Sequence, residues 1–224
     1  AGGDTRNFII DGDMTQWPEG TTKNMTSVKP YGHALWRINV VGGPGVCTAT
    51  RSTDVPTVAQ SSHQSLYSQK ITVTTADAAV AAGDRHSMSY FMTGSDYAYL
   101  HGNQQITVSF WMKFKKHASS SLSAPYKFCV SFGNNDQNRT YVSEESLTAD
   151  DTWQKITITL NTDNTGTWYF NEATRGLRIN VMLNAGTDLD DATADTWTGS
   201  SEFITSGKQD NLIDYAGNEI YLSQ

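Results

Sequence analysis

The sequence predicts an all-β protein, an antiparallel β-sandwich of jelly-roll form, and three observations predict it. Helical periodicity is nearly absent, apolar and polar residues alternate in run after run, and clusters of Asn, Asp and Gly separate the runs. Alternation sends successive side chains to opposite faces of a strand. One dry row and one wet row per strand describe antiparallel sheets packed face to face.

Taken in order, NFIIDGDMTQWPEG (residues 7–20) reads as the opening strand, closing on Trp17, Pro18 and Gly20. Leu35, Trp36, Ile38 and Val40 mark the edge of a further strand, and VVGGPGV (residues 40–46) reads as a turn, because Pro44 and the lack of a following helix rule out a phosphate loop. TTADAAVAAGD (residues 74–84) is short and ends at Gly83, so it reads as a loop with one helical turn at most. In ITVSFWMKF the row Ile106, Val108, Phe110, Met112 and Phe114 points one way, while Thr107, Ser109, Trp111 and Lys113 point the other. The same parity gives Phe128, Val130 and Phe132 in KFCVSF, and Ile156, Ile158 and Leu160 in WQKITITLN. LRINVMLN turns Leu177, Ile179, Val181 and Leu183 inward and Arg178, Asn180, Met182 and Asn184 outward; NEIYLSQ is the last strand. GNNDQN, NTDNTG and NAGTDLDDATAD are the turns between. No composition break divides the 224 residues, so one domain spanning 1–224 is expected, with residues 1–6 as a linker remnant.

Composition narrows the partners. Net charge is −7, and no basic cluster exists in the sequence beyond Lys113, Lys115 and Lys116, which argues against nucleic acid and anionic membrane. No apolar run approaches the ~20 residues of a membrane span. Cys47 and Cys129 are too few for a disulfide framework and read as buried free thiols.

Catalytic chemistry finds little to stand on. The five histidines show no short metal-ligand spacing, and no serine sits in a nucleophile elbow. Glu144 and Glu145, like Asp150 and Asp151, are adjacent, so on a strand they point to opposite faces and make no facing pair. A pair drawn from distant strands stays open. Asp11 and Asp13 offer oxygen ligands of the kind calcium takes, and DLDDATAD is a second acidic loop. Such clusters are usually solvated turns; a structural calcium ion is the alternative.

Aromatic residues are the richer signal, with six Trp, ten Tyr and eight Phe. A sugar ring has an apolar C–H face that a flat aromatic matches, and hydroxyls that amides and guanidinium groups bond. Trp111 lies on the polar row of its strand, and Arg178 and Asn180 on the polar row of another. Trp168, Trp197, Tyr126, Tyr31, Tyr97 and Tyr99 lie in or beside turns. Core packing is the commoner fate of any one of these, and Trp17 and Trp36, among apolar neighbours, read as packing residues. Trp111, Arg178, Asn180, Trp197, Tyr126 and Trp168 form the candidate ligand-binding set.

The ordered blocks NFIIDGDMTQWPEGTT, YGHALWRI, TVSFWMKF, DTWQKITITL, GLRINVMLNAG and NEIYLSQ cover almost the whole chain from Asn7 to Gln224. In that order they resemble the jelly-roll, carbohydrate-binding-module-like domains of bacteriophage tail fibres and other virion proteins, relatives of the galactose-binding-like modules attached to glycoside hydrolases. The sequence departs from that pattern at Pro18 and Glu19, where an arginine usually follows the tryptophan, and its final strand is shorter. The resemblance implies a protein without catalysis that recognises a polysaccharide or cell-surface glycan, carried on a virion or secreted with an enzyme, and trimeric within a full-length fibre. It points to Trp111 as the stacking aromatic and to a calcium ion near Asp11 or Asp13, although the last strand offers Asn218 and Glu219 instead of an aspartate. Two other readings stay open: an assembly module whose wet face packs on another subunit, and a glycan-active enzyme with a carboxylate pair ~5 to 9 Å apart.

Overall fold

The protein is described here by a computed structural model covering residues 7–18, 20–25, 35–102, 105–191 and 193–223. Tyr31 lies outside the described residues. The strands are β1 (Thr22–Met25), β2 (Trp36–Val41), β3 (Val46–Ser52), β4 (Ser68–Thr75), β5 (Arg85–Thr93), β6 (Gln105–Lys115) and β7 (Tyr126–Gly133). They continue with β8 (Thr140–Leu147), β9 (Gln154–Asn161), β10 (Arg175–Ala185), β11 (Asp190–Asp191), β12 (Trp197–Thr198), β13 (Ile204–Thr205) and β14 (Glu219–Ser223). Two short helices, α1 (Val58–Ser61) and α2 (Gly94–Ala98), sit in connections.

Two six-stranded antiparallel sheets result, the first in the order β1-β3-β4-β14-β6-β9 and the second in the order β12-β8-β7-β10-β5-β2. The small parallel pair β11–β13 stands apart from both. The chain passes repeatedly from one sheet to the other, and the expected β-sandwich is the fold.

Period two decides what fills the space between the sheets. The inward rows of β6 (Ile106 to Phe114), β7 (Phe128, Val130, Phe132), β9 (Ile156, Ile158, Leu160) and β10 (Leu177, Ile179, Val181, Leu183) all join one buried cluster. These are the rows that alternation predicts. Cys47 on β3 and Cys129 on β7 are buried free thiols, as expected, and lie in different sheets. Burial pushes the Cys47 thiol up to about 12 and the Cys129 thiol up to about 11.

Two local readings change and one, the loop before Arg85, holds. The described residues between 7 and 20 form no strand; the chain turns at 10–13, with Asp11 in the left-handed region at φ 52°. The Asp11 carboxylate accepts from the Thr15 and Gln16 amides at 3.1 and 2.7 Å, so a side chain takes the role a strand partner would have played. Met14 drops into the core behind this turn, and Trp17, also buried, donates its indole N–H to the Met14 carbonyl at 2.8 Å. Residues 76–84 form a loop with no helical turn. Lys113, on the wet row, is only 5% exposed: its ammonium lies 4.4 Å from the Tyr221 ring centroid and bonds Asp54 at 2.5 Å and Asp151 at 3.0 Å.

Tyr126 packs its ring edge-on against Phe114, centroids 4.7 Å apart, where the sheets face each other. Phe114→Ala would leave a cavity there and is expected to lower unfolding free energy by about 3–5 kcal/mol, read by chemical denaturation. Both thiols should stay silent to a thiol reagent at neutral pH and react only on unfolding, because buried thiols raised this far supply no thiolate.

Candidate functional site

The first sheet has an incomplete middle. β14 pairs with β6 only from Lys115 to Trp111, ending with Ser223 opposite Trp111. Residues 105–110 of β6 keep β9 on one side and have no strand on the other among the described residues. A cavity of about 650 Å³ opens beside this half-free edge. Trp111, partly exposed, stands on its wall with Ser109, Thr107 and Gln105 from the same strand and Lys155 from β9. Asn7, Phe8 and Ile9 form another wall with Tyr99, which is 64% exposed, and Met92, Leu177 and Ile179 reach it from the second sheet. The size suits a short oligosaccharide or a comparable ligand. The lining combines a flat aromatic with hydroxyls, an amide and an ammonium group.

A charged cluster lies further along β6, around Lys113, outside the cavity lining. Asp54 takes the Lys113 ammonium and the Trp153 indole N–H, the latter at 3.0 Å. Burial would raise its pKa, but the bonds from Lys113 and Trp153 hold it below the usual carboxylate range. Glu219 follows the same pattern, with burial outweighed by Lys70 and by the Tyr221 hydroxyl at 2.8 Å. On the rim, the His63 imidazole lies 3.0 Å from Asp13, tying the N-terminal turn to the segment after α1.

Arg178 and Asn180 share a different surface, the outer face of the second sheet. Asn180 lies opposite Ser89 of β5 and Ser131 of β7. A polar ladder crosses four strands there: Asn39 donates to Ser89 at 2.7 Å, Ser89 to Asn180 at 2.8 Å, and Asn180 to Ser131 at 3.0 Å. Asn180 thus spends both ends of its amide inside the protein and holds the face together, contrary to its expected place as a ligand contact. Burial, with Arg175, Arg85 and Arg37 nearby, pulls the Arg178 guanidinium down to about 10.

Trp168 and Trp197 meet at one end of the sandwich, perpendicular with centroids 5.5 Å apart. Their indole N–H groups are bound to the Thr165 and Asn161 carbonyls at 2.9 and 2.7 Å. Buried Tyr97 stands 5.2 Å from Trp168, so the cluster locks loops onto the end of the sheets. Trp197 also borders a recess of about 210 Å³ with Tyr141, Asp195 and Asn161. Tyr126, at 2% exposure and packed on Phe114, has no face to offer a ligand and leaves the candidate set.

The remaining acidic candidates have other partners. Asp11 caps its own turn and Asp13 faces His63, and no group of three or more His, Cys, Asp or Glu among the described residues is placed to hold a metal ion. Glu144 pairs with Lys208 at 3.0 Å and accepts from Thr205, whereas Glu145, its pKa raised by burial, accepts from Ser143. Of the residues that build the cavity, Gln105, Thr107 and Ser109 share the parity of Trp111 and could have been taken with it. Asn7, His63 and Lys155 carried no such signal.

No family model matches the chain, and no curated protein matches it. Three solved structures are similar to it at low identity. TmCBM61, a carbohydrate-binding module in complex with β-1,4-galactotriose, is 12% identical with a TM-score of 0.43, over 98% of this chain and 95% of that one. A CBM4 structure is 12% identical with a TM-score of 0.34, over 70% of each chain. The N-terminal CBM22-1–CBM22-2 tandem of Paenibacillus barcinonensis Xyn10C is 15% identical with a TM-score of 0.38, over 92% of this chain and 44% of that one.

Acid should loosen the charged cluster around Lys113. Asp54 and Glu219 have depressed pKa values, so the stability they contribute is present above about pH 4 and is lost as pH falls through those lower values. Thermal unfolding followed from pH 6 down to pH 2 should show this decline, and Asp54→Asn should flatten it.

Proposed function

We propose that the chain is a non-catalytic carbohydrate-binding module whose ligand enters the cavity beside Trp111. One observation carries the reading: a partly exposed indole stands at a cavity of about 650 Å³ whose lining includes the polar groups Gln105, Thr107, Ser109 and Lys155. The indole face meets the C–H face of a sugar ring, and the amide, hydroxyls and ammonium meet its hydroxyls. Specificity then comes from the polar row of β6 and affinity from the ring. The setting is the one the sequence resemblance implies, a phage or viral surface protein or a secreted enzyme that must be held on polysaccharide.

Affinity electrophoresis against neutral and acidic polysaccharides tests this. Trp111→Ala should weaken binding about tenfold, equivalent to about 1.4 kcal/mol, with the melting temperature little changed. Retention on no polysaccharide, or equal retention of wild type and variant on all of them, would sink the reading.

The half-free edge of β6 favours one rival. Residues 105–110 present backbone groups that an extended segment of another subunit could pair with. Light scattering separates the two: a monomer that binds glycan supports the module, and a stable oligomer that buries Trp111 supports assembly.

A further inference from the structure

Positive charge collects on the outer face of the second sheet. Arg37 on β2, Arg85 on β5 and Arg175 and Arg178 on β10 come from positions far apart in the chain. Two aromatic rings hold their heads. The Phe91 centroid lies 4.1 Å from the Arg37 guanidinium carbon and 4.2 Å from that of Arg175. Phe203 lies 4.6 Å from Arg85 and 5.9 Å from Arg178. Contact with a ring orients a guanidinium but leaves its charge in place.

Arg178 stands at the centre. It is opposite Phe91 on one side and Gly133 on the other, and Gly133 has no side chain to cover it. It is 6% exposed, and its Nε is buried without a hydrogen-bond partner. The Arg178, Arg85 and Arg175 guanidinium groups make no ion pair among the described residues, whereas Lys113, Lys70, Arg139 and Lys208 each hold a carboxylate. Glu144, on β8 beyond β7, is already engaged by Lys208 and Thr205. A buried cation with no carboxylate beside it costs stability, so Arg178 is placed here for something other than stability. Beneath them, Asn180, Ser89 and Ser131 satisfy one another and leave Arg178 as the unspent donor.

We infer that this face is a second ligand surface and that it takes an acidic sugar, whose carboxylate or sulfate oxygens accept hydrogen bonds from Arg178 between Arg175 and Arg85. The planar guanidinium fork matches two oxygens of one anionic group, which an ammonium cannot do. The sugar identity of the ligand rests on the carbohydrate-binding reading; the anionic site is separate from the Trp111 cavity.

Native electrophoresis of the full chain through gels containing polygalacturonate, a sulfated galactan or neutral galactan tests the inference. With a net charge of −7 the protein is repelled by polyanions in general, so retardation reports a local site. At least one acidic polymer should retard the wild type, and which one distinguishes carboxylate from sulfate. Arg178→Met should weaken that retardation about tenfold while leaving the melting temperature equal or higher, and Arg178→Lys should weaken it as well. Trp111→Ala should leave it unchanged. Loss of neutral-polymer binding with acidic-polymer binding intact would remove the Trp111 reading and support this one. No retardation by either acidic polymer, retardation that both Arg178 variants share, or retardation by double-stranded DNA alone would overturn it.

Discussion

β10 is buried on both faces, and the rest of the structure accommodates that fact. It pairs with β5 along most of its length and with β7 on the other side, so neither edge is free. Its inner row, Leu177 to Leu183, joins the core between the sheets. Its outer row must be covered too. Phe203 and Ile204 come over Met182, Cys129 and Val142 to make a second apolar cluster, and the chain from 186 to 213 follows from the need to deliver them. Where that cover ends, small polar groups take over, each bonded to the next, with arginine stems laid across them.

The two outer faces therefore differ in kind. On the first sheet the wet side of β6 and β9 carries threonine and serine, and Thr107 and Thr159 share a hydrogen bond at 3.0 Å. These groups remain available to solvent or to hydroxyl-bearing ligands. On the second sheet Asn39, Ser89, Asn180 and Ser131 bond one another, and guanidinium groups lie over them. One alternating pattern, folded twice, thus gives two outer faces of different polarity.

Much of this was legible in the sequence, and the exceptions have physical causes. Alternation gave the inner rows of β6, β7, β9 and β10 because those strands have one face against the core, where a slip of one residue would expose every apolar side chain. The same parity put Trp111 on the wet row, where it stands. Tyr126 also has the parity of Phe128, Val130 and Phe132, so its burial was readable; its nearness to Pro125 and the preceding serines suggested a turn. Asn7 to Gly20 misled because Phe8, Ile9 and Ile10 make a continuous β-forming run, yet Asp11 bonds two amides and bends the chain. The arginine face was invisible, since Arg37, Arg85 and Arg178 become neighbours only through the strand order β10-β5-β2.

The rim at Trp197 has a meaning beyond its local packing. β12 is two residues long, Trp197 and Thr198, and it closes the end of β8 at Tyr141 and Thr140. Further along β8, the Val142 carbonyl accepts the Asp195 amide at 2.9 Å, and Glu144 accepts the Thr205 hydroxyl at 2.8 Å. A foreign strand seeking to extend the sheet there meets a two-residue ladder and then a loop already in place. Sheet proteins are vulnerable to edge-to-edge polymerisation where a long flat margin is left open. Here the indole that locks the end of the sandwich also leaves that edge without a long open margin for another strand.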